Sequence, residues 1–119
     1  MKVVRVGDSP EVLTTAPLFI GTVHSRPLIT ADDSQQVTVN LVRFSDGARN
    51  RRHTHSADQL LYVTEGQGIV ADEAQEHRVG AGDIVHVPAG TVHWHGAAPG
   101  ADMAHLSILP PCETRQVED

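Results

Sequence analysis

Residues 47–66 read GARNRRHTHSADQLLYVTEG and contain two histidines with one residue between them, just ahead of an apolar stretch. If residues 51–55 are extended, His53 and His55 project from the same face of one strand, because side chains alternate along a strand. Gln59 follows after a short polar connection, so a hairpin would bring its amide beside both imidazoles. This stretch predicts a strand that presents metal ligands.

Residues 82–97 read GDIVHVPAGTVHWHGA and supply a further histidine. His93 lies beyond the tight turn at 88–90 and would approach the first cluster from across a barrel. Three imidazole nitrogens and one amide oxygen suit a divalent first-row ion, so Mn, Fe, Co, Ni and Zn are all compatible. The predicted ligands of one metal ion are His53, His55, Gln59 and His93.

The rest of the chain has the pattern of an all-β protein. Short alternating or apolar runs recur between turns, including turns at 45–47 and 65–66, and no segment has the spacing of an amphipathic helix. Many short strands with regular turns are typical of a sandwich or barrel. The predicted strands cover residues 18–23, 37–44, 51–55, 59–64, 68–71, 77–79, 84–87, 91–95 and 103–109.

Length and composition set the scale of the molecule. The 119 residues suit one domain with one core, which we place at about 18–110, followed by a loose C-terminal tail at 113–119. Aromatic residues make up 3% of the chain, so aliphatic side chains must fill the core. A small aliphatic barrel is only moderately stable alone, which predicts a homodimer or homotetramer.

Charge and cysteine content argue against several classes of function. The formal net charge of -6 repels phosphate backbones, so we expect no nucleic-acid partner. Cys112 is the single cysteine, which rules out an internal disulfide and indicates a reducing compartment. The first residues lack the apolar stretch of a signal peptide, and no apolar run approaches membrane-spanning length. We expect a soluble, cytoplasmic protein with a small-molecule substrate and no membrane partner.

The spacing of the first histidine pair resembles the first motif of the cupin superfamily. That motif has Gly, five residues, His-x-His, three or four residues, Glu, six residues and Gly. Its positions match Gly47, His53, His55, residue 59 and Gly66 in this chain, with Gln59 where most members have Glu.

The second cupin motif has a similar match. It has Gly, five residues, Pro-x-Gly, two residues, His, three residues and Asn, which matches Gly82, Pro88, Gly90 and His93, with Ala97 in place of Asn. The resemblance implies a double-stranded β-helix, also called a jelly-roll barrel, that holds one metal ion.

A closer resemblance is to small bacterial cupins that include manganese-dependent hydroxynitrile lyases. The shared stretches include FIGTV at 19–23, HTH at 53–55, HWHGAAP at 93–99 and MAHL at 103–106. This resemblance implies manganese as the ion, held by the three histidines and Gln59. It also implies that His95 and His105 face the pocket.

A glutamine at position 59 leaves the ligand set without a negative charge. The ion would keep its full positive charge and act as a stronger Lewis acid, with affinity for an anion such as hydroxide, an alkoxide or cyanide. The alternative is that Gln59 marks a weakened or vestigial site.

For the residues expected around the metal, the sequence leaves more than one role open. His95 lies two residues after His93, so it faces the same interior and would act as a base, a hydrogen-bond donor or a support for a ligand. His105 lies in an apolar strand, where burial would lower its pKa and leave a neutral base. Arg49 and Arg51 share the parity of His53, but a solvated rim or pairing with acidic residues is the preferred interpretation.

These residues predict an enzyme. In the first hypothesis, a metal-dependent lyase, His105 or His95 removes a proton from a small hydroxyl compound while the ion stabilises the developing anion. A cyanohydrin would give an aldehyde and cyanide. The alternatives are an oxygenase that uses dioxygen to cleave a carbon–carbon bond, and a non-catalytic protein that binds a metal or a small molecule.

Overall fold

The computed structural model describes residues 1–117, and the regular secondary structure of this part of the chain consists almost wholly of β-strands. One short 3₁₀ helix, Val6–Asp8, comes before them. The predicted all-β class is confirmed. The strands of this part are β1 (Val12–Leu13), β2 (Phe19–Ile29), β3 (Thr38–Asn50), β4 (His53–His55), β5 (Gln59–Asp72), β6 (Glu76–Gly80), β7 (Ile84–Val87), β8 (His93–Ala97), β9 (Met103–Leu109) and β10 (Thr114–Gln116).

Four of these strands close on one another into a barrel. β3 pairs with β9 along most of its length and with β8 near its end, and β5 pairs with the same two strands. β2 and β1 extend the sheet beyond β3, while β4 and β10 extend it beyond β8. β6 and β7 both pair with β5. The predicted barrel is confirmed.

Glycine permits a close approach between two strands of this ring. Arg49 pairs with Gly96 where β3 meets β8, and a Cβ atom on Gly96 would lie 2.5 Å from Ala48 O and 2.5 Å from Arg49 Cα. Both are backbone atoms, which cannot turn aside as a flexible side chain can. The contact between β3 and β8 therefore requires glycine at this position.

Two of the predicted turns are bends within long strands. The prediction that 45–47 and 65–66 separate strands is wrong, because β3 and β5 run through both segments. Positive φ angles at Asp46, Gly47 and Gly66 and a register shift after Val63 bend the chain without ending the pairing. Each of these long strands therefore contributes to both ends of the barrel.

The C-terminal segment is also more ordered than the sequence predicted. The prediction of a loose tail at 113–119 is wrong for Thr114–Gln116, which pairs antiparallel with His53–His55. β4 pairs with β8 through a single residue, so its other edge carries backbone groups that β10 can satisfy. Val117 N donates to Arg52 O at 2.9 Å and continues this contact. Residues 118 and 119 lie outside the described residues.

The core is mainly aliphatic, as the composition predicted. Val23, Leu61, Val63 and Met103 are each at most 1% exposed, and Phe44 is the one aromatic residue that is fully buried among residues 1–117. No helix in this described part has the length and apolarity needed to cross a membrane.

Candidate metal centre

Three histidines from two neighbouring strands converge at one end of the barrel. His53 and His55 come from β4, and His93 comes from β8 directly opposite His53. Their ligand nitrogens all lie within 4.8 Å of one another. The alternation of a three-residue strand brings the first two rings to one face, and the antiparallel register adds the third. The sequence predicted this convergence correctly.

The Nδ1 atom of each ring is held by a hydrogen bond. The Nδ1 atoms of His53 and His93 donate to the carbonyl oxygens of Arg51 and Thr91, at 2.6 and 2.9 Å. A carbonyl only accepts, so both rings carry their hydrogen on Nδ1 and leave Nε2 as a lone pair.

His55 has the same arrangement with a side-chain partner. Its Nδ1 lies 2.9 Å from Thr114 Oγ1, on the C-terminal strand. The Nε2 atoms of His55 and His93 are buried and have no hydrogen-bond partner among the described residues. Buried nitrogens with free lone pairs and a hydrogen bond at the other ring position are typical of metal ligands.

Gln59, at the start of β5, supplies the predicted amide. Its side chain is 3% exposed, and its Nε2 donates to Ser107 Oγ at 2.8 Å. Its Oε1 is buried without a partner in the described part of the chain. An orphaned amide oxygen beside three imidazoles fits a cation that accepts oxygen and nitrogen ligands.

Burial keeps the converging imidazoles neutral. Desolvation, with smaller contributions from the charge of His93 and His55, lowers the pKa of His53 to about 4. Desolvation and then the charge of His93 also lower the pKa of His55 to about 4. Protons do not compete with a metal for the lone pairs of rings that stay neutral, so the ligand set is ready to bind near neutral pH.

A second pair of histidines lies beside the first three. His105 Nε2 lies 3.1 Å from His95 Nδ1, and both rings are at most 4% exposed. Desolvation lowers the pKa of His105 to about 4 and lowers the pKa of His95 well below its ordinary value. The His95 ring stacks against His93 with centroids 5.7 Å apart, which places the pair next to the ligand cluster.

Asn50 completes this pair, and the sequence analysis missed it. Its Nδ2 lies 3.2 Å from His95 Nε2, and its Oδ1 accepts the His95 backbone N–H at 2.9 Å. Asn50 has the same parity on β3 as Asn40 and Phe44, and all three residues line one interior cavity. The sequence predicted that this strand ends at residue 44, whereas β3 continues past Gly47 to Asn50.

A cavity of about 170 Å³ connects the two groups of histidines. Its walls include apolar side chains from Leu18, Phe19, Val42, Phe44 and Leu109. Asn40 and Ser107 add polar groups, and Asn40 Oδ1 has no hydrogen-bond partner among the described residues. An apolar cavity with a few convergent polar groups suits a small organic molecule.

Neither Arg49 nor Arg51 lines this cavity. The Arg49 guanidinium lies 3.7 Å from the centroid of the Trp94 ring, and Arg51 Nε donates to Pro17 O at 3.0 Å. Asp58, one acidic group available for pairing, instead accepts a hydrogen bond from His86 at 2.8 Å. A direct role for either arginine at the metal is therefore not supported by their contacts.

Comparison with known proteins agrees with this geometry. The Cupin domain family matches residues 40–109, which include all four predicted metal ligands. This chain belongs to the cupin family. The cupin is 38% identical over 119 residues to the (R)-mandelonitrile lyase of Granulicella tundricola, covering 99% of this chain and 91% of the relative. It is also 33% identical over 61 residues to the acireductone dioxygenase of Gluconobacter oxydans, but covers only 32% of that protein.

Solved structures share the same fold. A cupin-like protein from Thermotoga maritima has a TM-score of 0.80 and 29% identity to this cupin, over 100% of this chain and 92% of the other. The polyketide cyclase RemF from Streptomyces resistomycificus has a TM-score of 0.88 at 22% identity, over 100% of this chain and 87% of the other. The second likeness concerns the fold alone.

Proposed function

We propose that this cupin is a metal-dependent lyase that cleaves a small α-hydroxynitrile into a carbonyl compound and hydrogen cyanide. One observation carries the proposal: two histidines of the three-histidine cluster and Gln59, with its orphaned oxygen, line a small, mainly apolar cavity together with a second, neutral histidine pair. The similarity to an (R)-mandelonitrile lyase over nearly the whole of both chains supports the same reaction.

The residues to hold the ion are His53, His55 and His93 through Nε2, with Gln59 through Oε1. We propose manganese, although iron, cobalt, nickel and zinc accept the same donors. When bound, the ion would supply Lewis-acid stabilisation of negative charge on the reacting oxygen or on cyanide. Because all four donors are neutral, none of that positive charge is cancelled by the protein.

His95 and His105 are the groups we assign to the charge that develops on the reacting molecule. Cleavage breaks the bond between the hydroxyl-bearing carbon and the nitrile carbon, and its electron pair leaves with cyanide. The hydroxyl proton is lost and cyanide gains one, so the reaction balances without an oxidant. His105 and His95 both line the cavity, and their lowered pKa values keep both rings neutral at neutral pH.

The test begins with elemental analysis of protein purified without chelator or nickel resin. The manganese-loaded protein is then assayed for mandelonitrile cleavage with and without oxygen. We expect near-stoichiometric metal and cleavage that does not depend on oxygen. The His105→Ala variant should keep its metal and lose at least about a hundredfold in kcat, the usual contribution of one hydrogen-bond donor to a developing negative charge. His24→Ala serves as a control variant and should retain activity.

An oxygenase is the second candidate, favoured by the acireductone dioxygenase relatives. One of these relatives matches 86% of this chain and others about half, but this chain covers only 58% of the first and about a third of the others. They therefore support an oxygenase less than the relative matched over nearly its whole length supports the lyase. Oxygen consumption coupled to carbon–carbon cleavage would favour the oxygenase. Stoichiometric metal without any turnover would contradict the lyase and favour a binding protein, and failure to bind metal after reconstitution would identify a vestigial site.

A further inference from the structure

Both polar atoms of the Asn50 side chain, Oδ1 and Nδ2, contact His95. Oδ1 accepts the His95 backbone N–H at 2.9 Å, and Nδ2 lies 3.2 Å from His95 Nε2. Asn50 is 3% exposed, so water does not compete for either contact. The orientation of the amide is fixed by chemistry, because a backbone N–H can only donate and must face the oxygen.

This orientation decides where the hydrogen of His95 lies. The Asn50 amide nitrogen carries two hydrogens and can only donate a hydrogen bond. His95 Nε2 must therefore accept through a lone pair. A neutral imidazole has one hydrogen, which is then on Nδ1. The Nδ1 atom faces His105 Nε2 at 3.1 Å, so His95 donates to His105. The opposite tautomer would set two donors against each other at Asn50.

The same reasoning extends to His105. Its Nε2 accepts from His95, so its own hydrogen is on Nδ1. That Nδ1 atom is buried and has no hydrogen-bond partner among the described residues, while the ring lines the cavity. An N–H group left in this state is costly, because a buried donor without an acceptor loses its bond to water. A molecule bound in the cavity would provide an acceptor.

We propose that Asn50 is a positioning residue that fixes His95 and His105 as Nδ1–H tautomers, so that His105 meets the bound molecule as a hydrogen-bond donor. This rests on the proposed function only in its consequence, which is that the His105 N–H stabilises the negative charge that develops on the cleaved molecule. The tautomers themselves are a property of the protein without substrate. Both hydrogen-bonding atoms of the Asn50 amide are engaged by His95, so Asn50 acts through that ring.

The experiment is nitrogen NMR of the full chain labelled with ¹⁵N-histidine, after removal of metal with a chelator. Long-range correlations distinguish a protonated ring nitrogen from one with a lone pair, and each ring is assigned through its side-chain carbons. We expect the Nδ1–H tautomer for both His95 and His105. Exposed His77 provides the internal reference for an unconstrained ring. An Nε2–H tautomer at His95 would overturn the proposal.

The Asn50→Asp variant sharpens the test. A carboxylate accepts from the His95 backbone and also from His95 Nε2, so it requires hydrogen on Nε2. We expect the Nδ1 and Nε2 signals of both rings to exchange their character, with His105 presenting a lone pair at Nδ1. A folded variant with unchanged tautomers would contradict the role of Asn50. If the variant does not fold, the wild-type spectrum decides alone.

The outcome is independent of the lyase assay. Nδ1–H tautomers in a protein that does not cleave mandelonitrile would uphold the role of Asn50 and contradict the proposed function. Nε2–H tautomers in an active lyase would contradict the role of Asn50 and uphold the proposed function.

Discussion

Thr114 Oγ1 lies 2.9 Å from His55 Nδ1, so the C-terminal strand holds one of the three imidazoles that converge at the candidate metal centre. The two residues lie 59 positions apart in the sequence. They meet because β10 pairs with β4 in a register that sets Thr114 opposite His55. A hydrogen bond at the second nitrogen orients the ring and fixes its tautomer.

The first prediction concerns this hydrogen bond. Thr114→Val keeps the shape of the side chain but removes the hydroxyl, so His55 loses its partner. We expect metal affinity to fall by about 10- to 100-fold, as for other residues that support a ligand. Competition with a fluorescent chelator measures it. Thr64→Val is the matched control, because the Thr64 hydroxyl contacts Ala104 O rather than a histidine. Equal affinity in the wild type and the Thr114 variant would contradict this role.

The second prediction concerns the ligands themselves. His53→Ala removes one of three imidazole donors from the centre of the cluster. We expect metal content after dialysis to fall from near-stoichiometric to background, while circular dichroism still shows a folded β-protein. Elemental analysis measures the metal, and the exposed His77→Ala variant provides the control. A His53→Ala protein that retains a full equivalent of metal would show that the ion binds elsewhere.

The third prediction concerns acid stability. Burial lowers the pKa of His53 and of His105 from 6.5 to about 4, so both rings stay neutral in the folded protein and take up protons on unfolding. The stabilisation is complete above pH 6.5 and is lost as pH falls toward 4. Each such ring lowers the free energy of unfolding by about 1.4 kcal/mol per pH unit in this range.

Urea unfolding of the metal-free protein across this range measures the effect. We expect stability to decrease steadily below pH 6.5, with a shallower slope in His105→Gln because one titrating ring is absent. His77→Gln should have the wild-type slope. A free energy of unfolding that is constant over the whole range would show that the rings are not desolvated.

The fourth prediction concerns the homo-oligomer, which the sequence suggested and which stays a prediction. On the outer face of the barrel, Leu41, Leu106, Tyr62 and Ile84 lie opposite one another across β3, β9, β5 and β7. Val39, Ile108 and Leu60 form a second row beside them. Tyr62 is 40% exposed and Ile84 is 70% exposed.

We propose that a second copy of the chain covers this face. The two rows form one contiguous apolar surface that includes exposed Tyr62 and Ile84, and exposed apolar patches mark interaction sites. We expect light scattering to give a dimer or a tetramer for the wild type and a monomer for Tyr62→Lys. Tyr62→Phe should keep the wild-type mass, and a monomeric wild type would contradict the proposal.

The sequence predicted the ligand cluster well because its members lie in two short motifs. The turn at 88–90 and the spacing of His53 and His55 act over a few residues, so local rules suffice. Asn50 and Thr114 were missed because their partners lie 45 and 59 residues away. Their contacts depend on β3 continuing through its bend and on the last described strand joining an edge, which no local pattern reveals.

The pairing of β10 with β4 also has a consequence for biosynthesis. The chain leaves the ribosome from its N-terminus, so His53–His55 emerges long before Thr114–Gln116, the segment that pairs with it. During translation the ligand strand has an exposed edge, and His55 has no Thr114 to orient it. The candidate metal centre therefore reaches its final geometry only after residues 114–116 have been released.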